Sequence, residues 1–181
     1  MRVLLDGVGS RGLSDALVPG LAAAGRAPLQ VSAVDFLRPA GERYEWGRED
    51  ADAFRTTWLD AAALDREVLS RPDGYLPALW DAESDRSARR RVEPVPQGAV
   101  LLVDGVLLLG RGLPAELVVH LALSPAAQLR RGVPAWQLPA FAEYDRQVRP
   151  GQVCDVLVRA EDPLRPAVLV RSDEPPGQIS R

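Results

Sequence analysis

Five short runs of β-forming apolar residues, separated by helical patterns, constrain the fold of this chain more than any other feature. The runs cover residues 2–5, 29–34, 99–103, 117–123 and 153–158. Four of them lack the alternation of a half-exposed strand, which predicts strands covered on both faces. Helical patterns cover residues 13–24, 59–69, 125–131 and 134–148. Strands that alternate with helices predict an α/β fold with a parallel sheet.

Two stretches interrupt this alternation. Residues 38–57 are polar and aromatic, and residues 71–96 contain repeated prolines. Both are predicted to be insertions over one edge of the sheet, where loops carry functional sites. The 181 residues suffice for one domain with its own core, which we place at 1–172. Residues 173–181 are predicted to form a flexible tail.

The basic residues of this chain are all arginines, because its 22 Lys+Arg positions include no lysine. Schiff-base chemistry, a lysine base and the lysine of a phosphate loop are therefore excluded. The net charge of −3 argues against a nucleic-acid partner. A single Cys and a single His exclude an internal disulfide and a Cys- or His-rich metal cluster.

The apolar segments are too short for membrane insertion. The longest, residues 98–110, is interrupted by Asp104, and the amino-terminal run meets an acid at Asp6. The first pattern argues against a membrane span and the second against a signal peptide. We therefore expect a soluble cytoplasmic protein with no membrane partner.

A glycine-rich turn follows the first predicted strand. It matches the phosphate-loop pattern G-x-x-x-x-G-K-[ST], except that Leu13 stands where lysine belongs. Such a loop directs amide N–H groups at phosphates, and the dipole of the following helix adds positive charge. This prediction places Leu13 facing the phosphates. The predicted nucleotide-binding residues are Gly7, Gly9, Ser10, Gly12, Leu13 and Ser14.

The same turn also fits a second pattern. Its glycines match G-x-G-x-x-G, the dinucleotide-binding fingerprint. An acid, Asp35, lies 23 residues beyond Gly12. That spacing is acceptable for the acid that binds a ribose. The turn alone therefore leaves a nucleoside triphosphate and a dinucleotide as alternatives.

The later motifs, taken in order, resemble the uridine kinase family of P-loop nucleoside kinases. The matching segments are residues 7–14, 34–36 (VDF), 42–44 (ERY), 75–81 (YLPALWD), 101–106 (LLVDGV), 129–131 (LRR), 148–150 (VRP) and 154–158 (CDVLV). Together they span roughly residues 2–160. The resemblance implies a P-loop NTPase three-layer sandwich with a five-stranded parallel sheet and hairpin or loop insertions.

A member of this family would transfer the γ-phosphate of ATP or GTP, bound with Mg²⁺, to a hydroxyl of a nucleoside or another small molecule. The resemblance implies that Asp35 acts as the base and that lid arginines, Arg130 and Arg131, neutralise the transferring phosphate. Arg146 and Arg149 are alternatives to them.

Further candidates follow from the residue types. Arg11 is the candidate replacement for the lysine, since a guanidinium can bind phosphate oxygens. Ser14 and Asp104 are the candidate Mg²⁺ ligands, as oxygen donors suit this ion. The residues predicted to contact the substrate are Tyr44, Tyr75, Trp80 and Arg86.

Leu13 also fits a different class of function. A non-catalytic relative that binds a ligand or a partner protein would not need the lysine. Each candidate has a structural alternative: Asp35 as a loop acid, the aromatic residues as a small core under long loops, and the arginines as solvated side chains. His120 and Cys154 lie in apolar segments and are predicted to be structural.

Overall fold

The computed structural model describes residues 1–162 and 165–171. The strands in these residues are β1 (Arg2–Asp6), β2 (Pro28–Ser32), β3 (Trp80–Asp81), β4 (Arg86–Ser87), β5 (Val100–Gly105), β6 (Leu117–Ala122), β7 (Val156–Arg159) and β8 (Ala167–Val170). The α-helices are α1 (Ser10–Ala23), α2 (Ala40–Arg43), α3 (Ala51–Thr56), α4 (Ala61–Leu64), α5 (Pro125–Arg130), α6 (Leu138–Gln147) and α7 (Pro150–Val153). The predicted tail, residues 173–181, lies outside the described residues.

Six of the strands form one sheet in the order β2–β5–β1–β6–β7–β8. β1 pairs in parallel with β5 and β6, β2 pairs in parallel with β5, and β7 pairs in parallel with β6. The predicted α/β fold with five parallel strands is therefore confirmed. The sequence prediction lacks the sixth strand, β8, which runs antiparallel to β7 at one edge.

Each face of this sheet is covered by a different layer. On one face, Leu4 and Val103 pack with Phe36, Leu64 and Phe141 in the larger apolar cluster of the protein. The side chains of this cluster come from β1, β2, β5, α4 and α6. This layer therefore fixes the segments that follow β2 and β5, which border the candidate site.

The opposite face carries α1. Leu13, Leu17 and Leu21 recur every four residues along this helix and pack on the smaller apolar cluster, formed by β1, β5, β6 and their neighbours. Such spacing places one stripe of a helix against a sheet. The predicted start of this helix at residue 13 is wrong, because α1 begins at Ser10, directly after Gly9.

The remaining helical predictions are correct in position but differ in detail. Residues 59–69 form α4 followed by a π turn, Asp65–Leu69, rather than one continuous helix. Residues 134–148 begin with a 3₁₀ turn, Ala135–Gln137, before α6. The two interrupting stretches hold α2 and α3, and the β3–β4 hairpin. Within the described ranges, the helices are too short or too polar to cross a membrane.

Candidate functional site

The turn between β1 and α1 has only three residues, 7–9, outside regular structure. The Ser10 amide donates to the Gly7 carbonyl at 3.1 Å, and the Leu13 amide donates to the Gly9 carbonyl at 3.2 Å. Of the predicted nucleotide-binding residues, Ser10 and Leu13 therefore have amides that bind within the protein rather than point at a phosphate. A helix that starts at residue 10 has already taken the Leu13 amide into its own hydrogen bonds.

The side chains of this segment are also turned toward the protein. Leu13 is half-buried on the smaller apolar cluster, so the predicted orientation toward phosphates is wrong. Ser14 is fully buried, and its Oγ accepts a hydrogen bond from Gln30 Nε2 at 2.9 Å. Ser10 Oγ donates to the Gly105 carbonyl at 3.1 Å. Both hydroxyls therefore connect α1 to the neighbouring strands.

Two predicted functional acids, Asp35 and Asp104, lie at the carboxyl-end edge of the neighbouring strands β2 and β5. Asp35 follows β2 in the 3₁₀ turn Ala33–Phe36, and Asp104 lies within β5. Asp104 Oδ2 accepts a hydrogen bond from Ser32 Oγ at 3.0 Å. Its Oδ1 is buried without a hydrogen bond to any described residue and lies 3.6 Å from Arg11 Nη1.

Arg11 is the positively charged residue next to the carboxylates of Asp15, Asp35 and Asp104. Burial raises the pKa of Asp104, while the Ser32 hydrogen bond and the Arg11 charge oppose that rise. Burial likewise raises the pKa of Asp35, and Arg11 opposes it. Arg11 Nε also lies 3.4 Å from Asp15 Oδ1. One guanidinium therefore stabilises the charges of several carboxylates.

The predicted Mg²⁺ ligands, Ser14 and Asp104, both have partners within the protein. Mg²⁺ requires oxygen ligands in near-octahedral geometry at about 2.0–2.1 Å. The Ser14 hydroxyl instead binds Gln30, and the cation beside Asp104 is Arg11. In the part of the chain that the structure describes, no group of three or more His, Cys, Asp or Glu could hold a metal ion.

The two predicted lid arginines differ in position. Arg131 reaches the turn: its Nη1 lies 2.7 Å from the point that a Cβ on Gly9 would occupy, and its Nη2 donates to the Ala160 carbonyl at 2.6 Å. Arg130 lies on the surface, where its guanidinium is 3.9 Å from Glu161 Oε2. Only Arg131 is therefore placed against the β1–α1 turn.

Two of the predicted substrate contacts, Tyr44 and Tyr75, take part in packing. The Tyr44 ring meets Trp58 edge to face, with centroids 5.4 Å apart. Tyr75 belongs to the larger apolar cluster, and its hydroxyl donates to Glu93 Oε2 at 3.0 Å. These contacts match the small core under long loops that the aromatic residues also allow.

The other two, Trp80 and Arg86, belong to the β3–β4 hairpin. Trp80 Nε1 donates to Asp85 Oδ1 at 3.0 Å, across the hairpin turn. Arg86 is exposed and pairs through its backbone with Asp81. The hairpin lies over Asp35, whose carbonyl accepts a hydrogen bond from the Leu79 amide at 3.0 Å.

An apolar cavity of about 210 Å³ opens at the carboxyl ends of β2 and β5. Open α/β sheets bind their ligands at this edge. The cavity is lined by Ala33, Val34, Leu37, Phe54, Trp58, Leu59, Gly105, Val106, Leu107 and Arg111. Its wall includes two aromatic rings, Phe54 from the first interrupting stretch and Trp58 directly after it, but none of the four predicted substrate contacts.

Arg111 and Trp58 are the lining residues of this cavity that carry polar side-chain groups. Arg111 Nε donates to the Leu107 carbonyl at 2.7 Å, Nη2 donates to the Arg55 carbonyl, and burial lowers the pKa of this guanidinium. The buried Nε1–H of Trp58 has no hydrogen-bond acceptor within residues 1–162 and 165–171. The sequence prediction misses Arg111; the available signal was its position shortly after the buried strand β5.

Comparison with known proteins supports the fold. No protein-family model matches the chain, and no curated protein sequence matches it. A solved structure, that of a possible uridine kinase from Bacillus stearothermophilus, is similar with a TM-score of 0.69 and 18% sequence identity. The match covers 86% of this chain and 85% of that one. At this identity the likeness shows the fold alone, an α/β fold that is consistent with the P-loop NTPase-like kind.

Proposed function

We propose that this protein binds a small molecule on a kinase-like fold and does not transfer phosphate. The observation that carries this proposal is the start of α1 at Ser10, which leaves a three-residue turn where a phosphate loop would lie. The same helix start directs Leu13 toward the sheet. Of the functions considered from the sequence, this geometry favours the non-catalytic relative over the phosphotransferase and the dinucleotide module.

The chemistry of phosphoryl transfer supports this choice. Transfer depends on cations and amide donors that stabilise the charge of the phosphate in the transition state. Loss of one such donor costs about 10²–10³ in rate. Here the lysine is replaced, the Leu13 amide is engaged and the Ser14 hydroxyl binds Gln30. Arg11 does not restore a nucleotide site, because its charge is held by Asp104 and Asp15.

The apolar cavity supports the binding function. An apolar cavity of about 150 Å³ suffices to hold a benzene molecule, so about 210 Å³ accommodates one substituted ring. The Arg111 guanidinium offers donors at its wall, and Phe54 and Trp58 supply aromatic rings for packing against a ligand. We therefore assign the ligand to single-ring molecules that carry a carboxylate or another acceptor.

The absence of transfer is tested by incubating the protein with Mg²⁺ and γ-labelled ATP or GTP, with a panel of nucleosides as acceptors. We expect no labelled product above the rate without protein. The matched positive control is an active uridine kinase under the same conditions. Labelled product that disappears in the Asp35→Asn variant would contradict the proposal.

Ligand binding is tested separately by calorimetric titration with benzoate and with benzyl alcohol. We expect saturable benzoate binding that weakens at least tenfold in Arg111→Met, because a charge-assisted hydrogen bond contributes about 1.5–3 kcal/mol. Benzyl alcohol binding should change less. Arg66→Met is the control, since Arg66 is exposed and pairs with Glu67 at 2.8 Å, on a different segment. Absence of benzoate binding, or equal loss in both variants, would contradict this ligand class.

A further inference from the structure

A second, positively charged groove of about 540 Å³ lies on the other side of β1, where β6 and β7 meet α6 and α7. Its lining includes His120, Asp145, Arg146, Arg149 and Arg159. Three arginines and one aspartate give this lining a net charge of +2 with His120 neutral. None of these residues lines the apolar cavity described above.

Among the described residues, two of these arginines lack a partner for their positive charge. Within the described parts of the chain, neither Arg149 nor Arg159 has an ion-pair or hydrogen-bond partner for its guanidinium, whereas Arg146 pairs with Glu143. Arg149 also has a positive φ of 53°, a conformation that is strained for a residue with a side chain. Strain of this kind persists only where the surrounding structure enforces it, and it is concentrated at functional sites.

The floor of the groove contains a buried, oriented histidine. The His120 side chain is 8% exposed, and its Nδ1 lies 2.7 Å from Asp6 Oδ2. Asp6 is fully buried and also accepts hydrogen bonds from the Tyr144 hydroxyl at 2.8 Å and from the Leu108 amide at 2.9 Å. These contacts fix the ring and assign the Nδ1 proton to the Asp6 contact. The other ring nitrogen, Nε2, has no partner among the described residues.

We propose that this groove binds the phosphate group of a small molecule, with Arg149 and Arg159 as the cationic contacts and His120 Nε2 at its base. Guanidinium groups without an internal partner are suited to phosphate oxygens, which they bind through paired N–H donors. Asp145 is the one acid in the lining, and burial favours its neutral form by raising its pKa. The site is independent of the apolar cavity and of the proposed function.

The test is calorimetric titration of the full chain with inorganic phosphate and with phenyl phosphate, in a phosphate-free buffer of low ionic strength. We expect saturable binding of at least one probe. Arg149→Gln and Arg159→Gln should each weaken it by about tenfold or more, as expected for loss of a charge-assisted hydrogen bond. Tighter phenyl phosphate identifies a phosphate ester as the ligand, whereas tighter inorganic phosphate identifies the free ion.

Two further variants separate the site from general charge and from misfolding. Arg66→Gln removes an exposed arginine elsewhere and should leave the binding of both probes unchanged. His120→Asn retains a donor near the Nδ1 position and removes Nε2, so it should weaken binding while the protein keeps a cooperative melting transition. Absence of binding by both probes, or equal losses in Arg66→Gln and the two groove variants, would overturn the proposal.

Discussion

Substitution of Leu13 by lysine separates a degenerate kinase site from a remodelled one. In a kinase whose phosphate loop has lost only its lysine, the new ammonium group would reach the phosphates and tighten ATP binding. In this structure, Leu13 packs with Leu17 and Leu21 on the smaller apolar cluster. Leu13→Lys should therefore leave Mg²⁺–ATP binding undetectable and destabilise the fold.

The magnitude follows from the partial burial of Leu13. Full burial of a leucine side chain contributes about 1.5–3 kcal/mol, and the lysine stem keeps part of the contact while its ammonium group reaches solvent. A loss of about 1–2 kcal/mol is expected, which lowers the melting temperature of a chain of this size by about 2–8 °C. Scanning calorimetry and ATP titration of the same samples provide the two measurements.

Leu21→Lys is the matched control for this substitution. Leu21 lies two helical turns further along the same stripe, away from the β1–α1 turn, and is also half-buried. It should lower the melting temperature by a similar amount. An unchanged melting temperature for Leu13→Lys, together with Mg²⁺–ATP binding that Leu21→Lys lacks, would refute this reasoning.

Three further substitutions test the surroundings of the site. Tyr144→Phe removes a hydrogen bond to the buried Asp6 carboxylate and should cost about 1–3 kcal/mol in urea denaturation. Gly7→Ala should destabilise more than Gly25→Ala in the same assay, because both have positive φ but only the Gly7 Cβ would meet a backbone oxygen, at 2.5 Å. Burial raises the pKa of Asp104 above 3.8, so its ionised form costs stability as pH rises through the folded-state pKa. Asp104→Asn should therefore raise the melting temperature at neutral pH, and the gain should vanish below pH 3.8; a constant gain would contradict this.

The sheet was predictable because its strands are marked by local composition. Runs such as residues 99–103 are apolar on both faces, and their short length favours a strand buried between two layers. β8 was missed because its residues are exposed and it follows a proline-containing segment. Its position depends on pairing with β7, which local patterns do not report.

The candidate site was less predictable, since single residues decide its geometry. The glycine pattern of residues 7–14 fits a phosphate loop. The same residues are also compatible with a short turn and a helix that begins before residue 13. The leucine spacing in α1 favours the second outcome, because Leu13, Leu17 and Leu21 form one stripe. Arg111 contacts Arg55 and His120 contacts Asp6, both distant in sequence, so local patterns did not identify either pocket. For Arg111 the one signal was its position shortly after β5.

The most direct measurement is an amide NMR titration of the β1–α1 turn with Mg²⁺ and a non-hydrolysable ATP analogue. The glycine amides at positions 7, 9 and 12 report on this turn separately from the rest of the chain. We expect no saturable shift of these signals up to about 10 mM nucleotide, a concentration that would largely saturate even a millimolar site. Saturable, Mg²⁺-dependent shifts of the Gly9 and Gly12 amides would contradict this account, because they would show a nucleoside triphosphate bound where phosphoryl transfer requires it.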